Sequence, residues 1–260
     1  MSSVMLEVSD LTIAFGGLTA VSSMTFNVRD GEVLSLIGPN GAGKTSAFNA
    51  ITGYLRPVKG SVVFLGRSIS GVRPDRIAAR GLVRTFQKTS VFATQTAHRN
   101  VLTGLHLSSR QRLLPILLGS RFVAKDEARL SEEAHQILDF AGLSKRADEQ
   151  ASTLPYGDQR LLEVAIALSA RPKLLLLDEP VSGMNTAEKA SFTSIIRKIR
   201  DLGITILLVE HDMRTVMEVS DRVICLAQGR IIGDGPPKAI QQSDEVIKAY
   251  LGERFERAQA

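Results

Sequence analysis

Gly38-Pro39-Asn40-Gly41-Ala42-Gly43-Lys44-Thr45 is the stretch on which the fold turns. It fits the pattern G-x-x-x-x-G-K-[ST], and it stands between an apolar run, Val33–Ile37, and a helical pattern, Thr45–Thr52, closed by Gly53. Glycines let the backbone wrap an anion closely enough for its N–H groups to point at phosphate oxygens, and the positive end of the following helix adds to the attraction. In such a loop Lys44 reaches the β- and γ-phosphates and Thr45 ligates Mg2+, with Ser46 beside it at the helix start. The expected nucleotide contacts are therefore Gly38, Pro39, Asn40, Gly41, Ala42, Gly43, Lys44, Thr45 and Ser46.

Outward from this loop, short apolar runs recur at Leu174–Leu177, Ile204–Val209 and Val223–Ala227, each reading as a buried strand. A helical pattern at Lys189–Leu202 ends on Gly203. That alternation predicts a largely parallel sheet flanked by helices. Met24, Phe26 and Val28 instead alternate with polar neighbours ahead of an Arg29-Asp30-Gly31 turn, which predicts a small antiparallel β subdomain near the N-terminus. Between Thr94 and Ala170 strand signals fade, and Leu130, Ala134, Ile137 and Ala141 recur at helical spacing. This stretch reads as an inserted helical subdomain, residues 94–170. Residues 1–93 and 171–235 form the core of a single domain, and residues 236–260 a helical tail whose Val246, Ile247, Tyr250 and Leu251 share one face. Leu113–Leu118, broken by Pro115, reads either as a buried helix end or as a surface that docks on a partner.

The second chemical signal is Leu174-Leu175-Leu176-Leu177-Asp178-Glu179. An apolar strand delivers two acids at its C-terminal end, where open α/β sheets bind ligands. Asp178 is expected to hold Mg2+ through water, and Glu179 to polarise an attacking water. Loop and acids together define a P-loop NTPase with a RecA-like α/β core, and Glu179 points to hydrolysis rather than binding alone.

Composition narrows the class. Lysine and arginine number 32 against 27 aspartates and glutamates, a net charge of +5 spread along the chain, which does not indicate nucleic acid as a partner. One cysteine, Cys225, excludes a disulfide framework and fits a reducing compartment. The start, MSSVMLEVSD, lacks the features of a signal peptide, and no apolar run approaches the roughly 20 residues that span a bilayer. A membrane, if one is involved, is reached through a partner.

The order of these motifs resembles the ABC ATPase family over nearly the whole chain. Phe15, in Ala14-Phe15-Gly16-Gly17, looks like the family's adenine-stacking aromatic, although spacing alone fits a core phenylalanine equally. Gln87, in Arg84-Thr85-Phe86-Gln87, matches the glutamine that touches Mg2+ and the membrane partner. His211, in Glu210-His211-Asp212, matches the switch histidine that contacts the γ-phosphate and links it to the catalytic glutamate. Leu154-Pro155-Tyr156-Gly157-Asp158-Gln159-Arg160 stands where the family has L-S-G-G-Q, a signature that caps the γ-phosphate held by the other subunit. Only Leu154 and Gly157 match, and Gly157 alone is carried over. Asp158 places a negative charge near a phosphate site unless it turns away as a cap of the helix expected at Gln159–Ala170. Asn185 replaces the aspartate of the family's S-A-L-D, keeping an acceptor oxygen and losing the charge.

Phe15-Gly16-Gly17-Leu18-Thr19-Ala20-Val21, Arg84-Thr85-Phe86-Gln87, the Tyr156-Gly157 variant and Val246–Gly252 further resemble the branched-chain (hydrophobic) amino acid importers. That resemblance implies ATP and Mg2+ as cofactors and a place on the cytoplasmic face of a bacterial inner membrane. It also implies two transmembrane permeases, a second ATPase subunit (another chain or a copy of this one) and, indirectly, a periplasmic binding protein. Cargo in the group extends to amides, urea-like and aromatic compounds. The alternatives are the ATPase of a lipid or lipopolysaccharide exporter, a P-loop kinase, or an ABC ATPase acting on nucleic acid or ribosomes. That last class wants coiled-coil insertions, zinc-binding cysteines or a tandem cassette, and none is present.

Overall fold

All five residues of Val33–Ile37 (β3), of Leu174–Asp178 (β7) and of Thr205–Val209 (β8) are buried in the computed structural model, which describes residues 3–85, 91–108 and 121–250. A strand with no exposed face belongs inside a sheet covered on both sides, the setting of parallel strands. β3, β8 and β7 accordingly pair in parallel at the centre of a six-stranded sheet. Its order is β10-β9-β3-β8-β7-β6, with β6 at Leu82–Arg84, β9 at Arg222–Ala227 and β10 at Arg230–Gly235. Among the described residues of this sheet only the β9–β10 pair is antiparallel.

A second, antiparallel sheet contains Val4–Phe15 (β1), Leu18–Arg29 (β2), Lys59–Phe64 (β4) and Arg67–Ser68 (β5), in the order β2-β1-β4-β5. The expected alternation holds, with Met24, Phe26 and Val28 all buried. The sheet is not finished before the core, however: β4 and β5 return to it after the phosphate-loop helix. Val62 and Phe64 on β4 face the same apolar cluster as Leu6, Val8 and Leu11 and as Phe48 and Ile51 of that helix. Burying each such side chain is worth about 1.5–3 kcal/mol, so the helix is held against both sheets by its apolar face.

The chain forms two compact units, residues 1–84, 173–182 and 196–260 in one and residues 85–172 and 183–195 in the other. The second is helical through residue 172, with helices at Ala97–Ser108, Arg121–Phe140 and Tyr156–Ser169. Leu130, Ala134, Leu138 and Ala141 are its buried stripe, with Leu138 rather than Ile137 completing the i, i+4, i+8 row. Residues 183–195 sit on this unit although the sequence reading puts them in the core. Gly183 lies against the Tyr156 ring and Glu188 against Gly157.

In the first unit, residues 244–250 are helical, and Val246 packs with Ile37, Val216, Cys225 and Ile240 while Tyr250 adds a partly buried contact. Ile247 is exposed, contrary to the shared face expected of it. Leu251 and Leu113–Leu118 lie outside the described residues. Among the described residues no helix is long and apolar enough to cross a membrane.

Candidate nucleotide site

Three adjacent parallel strands bring their C-terminal ends to one edge of the sheet, and each runs into an expected site residue: β3 into Gly38, β7 into Glu179, β8 into Glu210-His211. Leu36 and Asp178 both lie opposite Val209, so Asp178 is level with the strand that feeds the phosphate loop, two strand spacings or about 10 Å away.

The loop geometry requires its glycines. Gly38 has φ 148° and Gly43 φ 102°, and a Cβ would collide with the carbonyl oxygen of Leu226 at the first and of Ala20 at the second. Among the described residues no side chain caps the Lys44–Ile51 helix, and its first turn carries no acid, leaving the positive end of its dipole open to an anion. Lys44 Nζ donates to the carbonyls of Gly38 at 2.7 Å and Pro39 at 2.9 Å, which holds the ammonium on the loop. Gly38, Ala42 and Lys44 are buried, Pro39, Gly43 and Ser46 are half-buried, and Asn40, Gly41 and Thr45 are exposed. Phe15 pairs with Leu18 at the tip of the β1–β2 hairpin and is 50% exposed, so it is not a core phenylalanine.

Asp178 is 1% exposed, and Arg84 Nη2 donates to its Oδ2 at 2.6 Å. Its Oδ1 is buried with no hydrogen-bond partner among the described residues. A buried carboxylate oxygen left unpaired is costly. A hard cation, directly or through water, satisfies it, so Asp178 fits the Mg2+ expected beside it.

Glu179 follows in the left-handed region at φ 47°, rare for a residue with a Cβ, and its N–H donates to the Val209 carbonyl at 2.8 Å. Its Oε2 is 3.8 Å from Nδ1 of His211, an electrostatic separation rather than a hydrogen bond. The two residues expected to share the γ-phosphate are thus brought together. Gln87 lies outside the described residues.

The motif around His211 by itself assigns Glu210 no role. Fully buried, its carboxylate accepts from the backbone N–H groups of Val181 at 3.1 Å, His211 at 2.8 Å and Asp212 at 3.0 Å. One side chain therefore ties the loop of Glu179 to the loop of His211. The signal available in the sequence is an acid directly after the apolar run Ile206–Val209.

In the helical unit the signature helix starts at Tyr156, three residues before the expected Gln159, with Pro155 at the N-cap and no side-chain cap. Asp158 therefore lies in the first turn and is not the cap. Its carboxylate turns to Arg146, Nε to Oδ2 at 2.7 Å, which offsets the negative charge. Gly157 is buried, and a Cβ there would stand 2.9 Å from Glu188 Oε1. Asn185 and Glu188 form a reciprocal cap: Asn185 Oδ1 accepts from the N–H groups of Ala187 at 2.9 Å and Glu188 at 3.0 Å, and Glu188 Oε2 accepts from the Asn185 N–H at 2.8 Å.

Comparison with known proteins places these features. The sequence profile of the family described as "ABC transporter" matches residues 21–182, and that of "Branched-chain amino acid ATP-binding cassette transporter" matches residues 230–256. Over 97% of its length the chain is 41% identical to the high-affinity branched-chain amino acid transport ATP-binding protein BraF of Pseudomonas aeruginosa, all of which is covered. Against LivG of Escherichia coli, likewise fully covered, identity is 39% over the same share of this chain. The lipopolysaccharide export ATP-binding protein LptB of Haemophilus influenzae is 30% identical over 96% of this chain and 98% of its own length. Among solved structures, the ADP conformation of MJ1267, an ATP-binding cassette of an ABC transporter, superposes with a TM-score of 0.85 at 29% identity, covering 96% of this chain and 100% of that one.

Proposed function

This chain belongs to the ABC transporter family of ATP-binding proteins, and from that premise we propose that it is the ATPase subunit of a branched-chain amino acid importer. It works at the cytoplasmic face of a bacterial inner membrane beneath two permeases, paired with a second ATPase subunit and served by a periplasmic binding protein. The observation that carries the reading is the convergence of the Lys44 loop, Asp178, Glu179 and His211 on one edge of the six-stranded sheet, with Glu179 and His211 3.8 Å apart.

The loop N–H groups and Lys44 hold the phosphates, and Phe15 offers its exposed ring to the adenine. Thr45, Asp178 and Gln87 would hold the Mg2+ that comes with the nucleotide, and the ion would supply charge neutralisation there. Glu179 accepts a proton from the water that attacks the γ-phosphate, and His211 steadies the charge that develops there. Gly157 of the partner subunit's copy of the signature, or its equivalent, completes the site when ATP is present. Loss of the shared γ-phosphate then loosens the dimer, a switch between two states for which ATP has different affinity.

The test is Glu179→Gln in the assembled transporter. ATP binding is retained, while ATP turnover and uptake of labelled leucine both fall to near background. Normal turnover in the variant removes Glu179 from its role. Turnover lost with leucine uptake unchanged, in a strain whose only copy of this subunit is the variant, leaves the ATPase standing and overturns the cargo.

A further inference from the structure

Arg84 belongs to the Arg84-Thr85-Phe86-Gln87 motif, and the functional reading gives it no task. It closes β6, opposite Leu176 on β7, with a side chain only 8% exposed. Its guanidinium spans two elements. Nη2 donates to Asp178 Oδ2 at 2.6 Å, while Nη1 donates to Asn49 Oδ1 at 2.7 Å and Thr52 Oγ1 at 3.2 Å, at the end of the phosphate-loop helix. The Phe48 ring stacks beneath it at 5.6 Å. A buried guanidinium is expensive to desolvate, and an apolar side chain fills space as well. What an apolar residue cannot do is fix a carboxylate by one oxygen.

We propose that Arg84 is a positioning residue for the metal ligand: its fork clamps Asp178 by Oδ2, so that the unpartnered Oδ1 is the oxygen offered to the Mg2+ that accompanies ATP. This rests on the reading of Asp178 as a Mg2+ ligand. The geometry requires arginine, because a planar fork bridges the carboxylate and Asn49 at once whereas an ammonium is a point charge. A positive charge so near Asp178 by itself repels Mg2+, so a gain in metal binding comes from orientation. Arg84→Lys separates the two effects, since it keeps the charge and loses the fork.

The experiment measures ATP affinity of the full-length chain carrying Glu179→Gln, once with saturating Mg2+ and once in EDTA, and takes the ratio. With Arg84→Lys added, the Mg2+-dependent gain falls by about tenfold, the usual effect of losing a group that orients a metal ligand, while affinity in EDTA stays within about twofold. Should that variant not fold, Asn49→Ala frees the other arm of the fork, and the gain falls about threefold. A folded variant with the parent's ratio overturns the proposal. Asp178→Asn separates the two failures: if it abolishes the Mg2+ gain and Arg84→Lys does not, only the role of Arg84 falls. If the parent shows no Mg2+ gain, the reading of Asp178 falls with it.

Discussion

Glu210→Gln isolates the joint between the two catalytic loops. The carboxylate takes one backbone N–H on Oε1 and two on Oε2, from Val181, His211 and Asp212, in a fully buried position. Glutamine keeps the size but presents one acceptor and one donor, so whichever way the amide turns, at least one backbone N–H faces another N–H. A buried donor left unpaired costs about 1–3 kcal/mol, and the surviving bonds lose their ionic strengthening, for a total of about 3 kcal/mol. At about 2–4 °C per kcal/mol for a chain near this size, the melting temperature drops by about 6–12 °C. Glu210→Ala strands all three donors, a loss comparable to the roughly 5–15 kcal/mol of a whole domain, which is why glutamine is the informative change. The assay is a thermal melt of the nucleotide-free chain together with ATP turnover in the assembled transporter. Turnover falls about tenfold through misplacement of Glu179 and His211, while KM for ATP stays within about twofold because the Lys44 loop is untouched. A melting temperature within about 2 °C of wild type, with normal turnover, refutes the reasoning.

Gly43→Ala puts a Cβ into the Ala20 carbonyl and within 3.0 Å of Val21 Cγ2, and should lower ATP affinity more than about 100-fold by calorimetry. Gly41→Ala, at φ 77° with nothing within 4 Å, should cost only the backbone strain of about 1–2 kcal/mol. Burial pushes the Cys225 thiol up to about 12. The unfolded thiol ionises near 8.5, so between those values the native state holds the extra proton and stability falls as pH rises, by up to about 1.4 kcal/mol per pH unit. Urea midpoints at pH 8 and 10 should therefore diverge more for wild type than for Cys225→Ala, and a smaller divergence in wild type counts against the burial argument. Asp158→Gln, which restores the family residue, should leave ATP turnover within about threefold, because Arg146 already offsets the charge at 2.7 Å; a tenfold gain shows that the charge does reach the phosphate.

What the sequence made legible follows the range of the interactions. β3, β7 and β8 are apolar at nearly every position and announce themselves, and the phosphate loop lies within one turn of the strand and helix that give it meaning. β6 is three residues long and shows no period, and β4 joins a sheet begun before the loop, so neither was readable from its own residues. Arg84 meets Asp178 across 94 positions and Glu210 meets Val181 across 29. Both contacts depend on strand order, which local pattern does not encode. Asp158 is the intermediate case. Its partner Arg146 is only 12 positions away, yet the start of the helix at Tyr156 rather than Gln159 decides where the carboxylate points.

The departures from the family pattern in the helical unit also fit one another. Tyr156 brings a large ring into the signature, and Gly183, where the family has alanine, leaves room for it: a Cβ there would stand 3.2 Å from Tyr156 Cε1. Arg160 covers the other contact of that ring at 5.3 Å, its Nε donating to the Tyr156 hydroxyl at 3.1 Å. Asn185 in place of aspartate still caps its helix, and the Glu188 that completes the cap is the group packed against Gly157. Substituting the family residue at 183 therefore strains its neighbour. Gly183→Ala alone presses on Tyr156, and anything larger than glycine at 157 displaces Glu188 and opens the cap. Tyr156 and Gly183 are thus a matched pair, so restoring the family's alanine at 183 requires a smaller side chain at 156 as well.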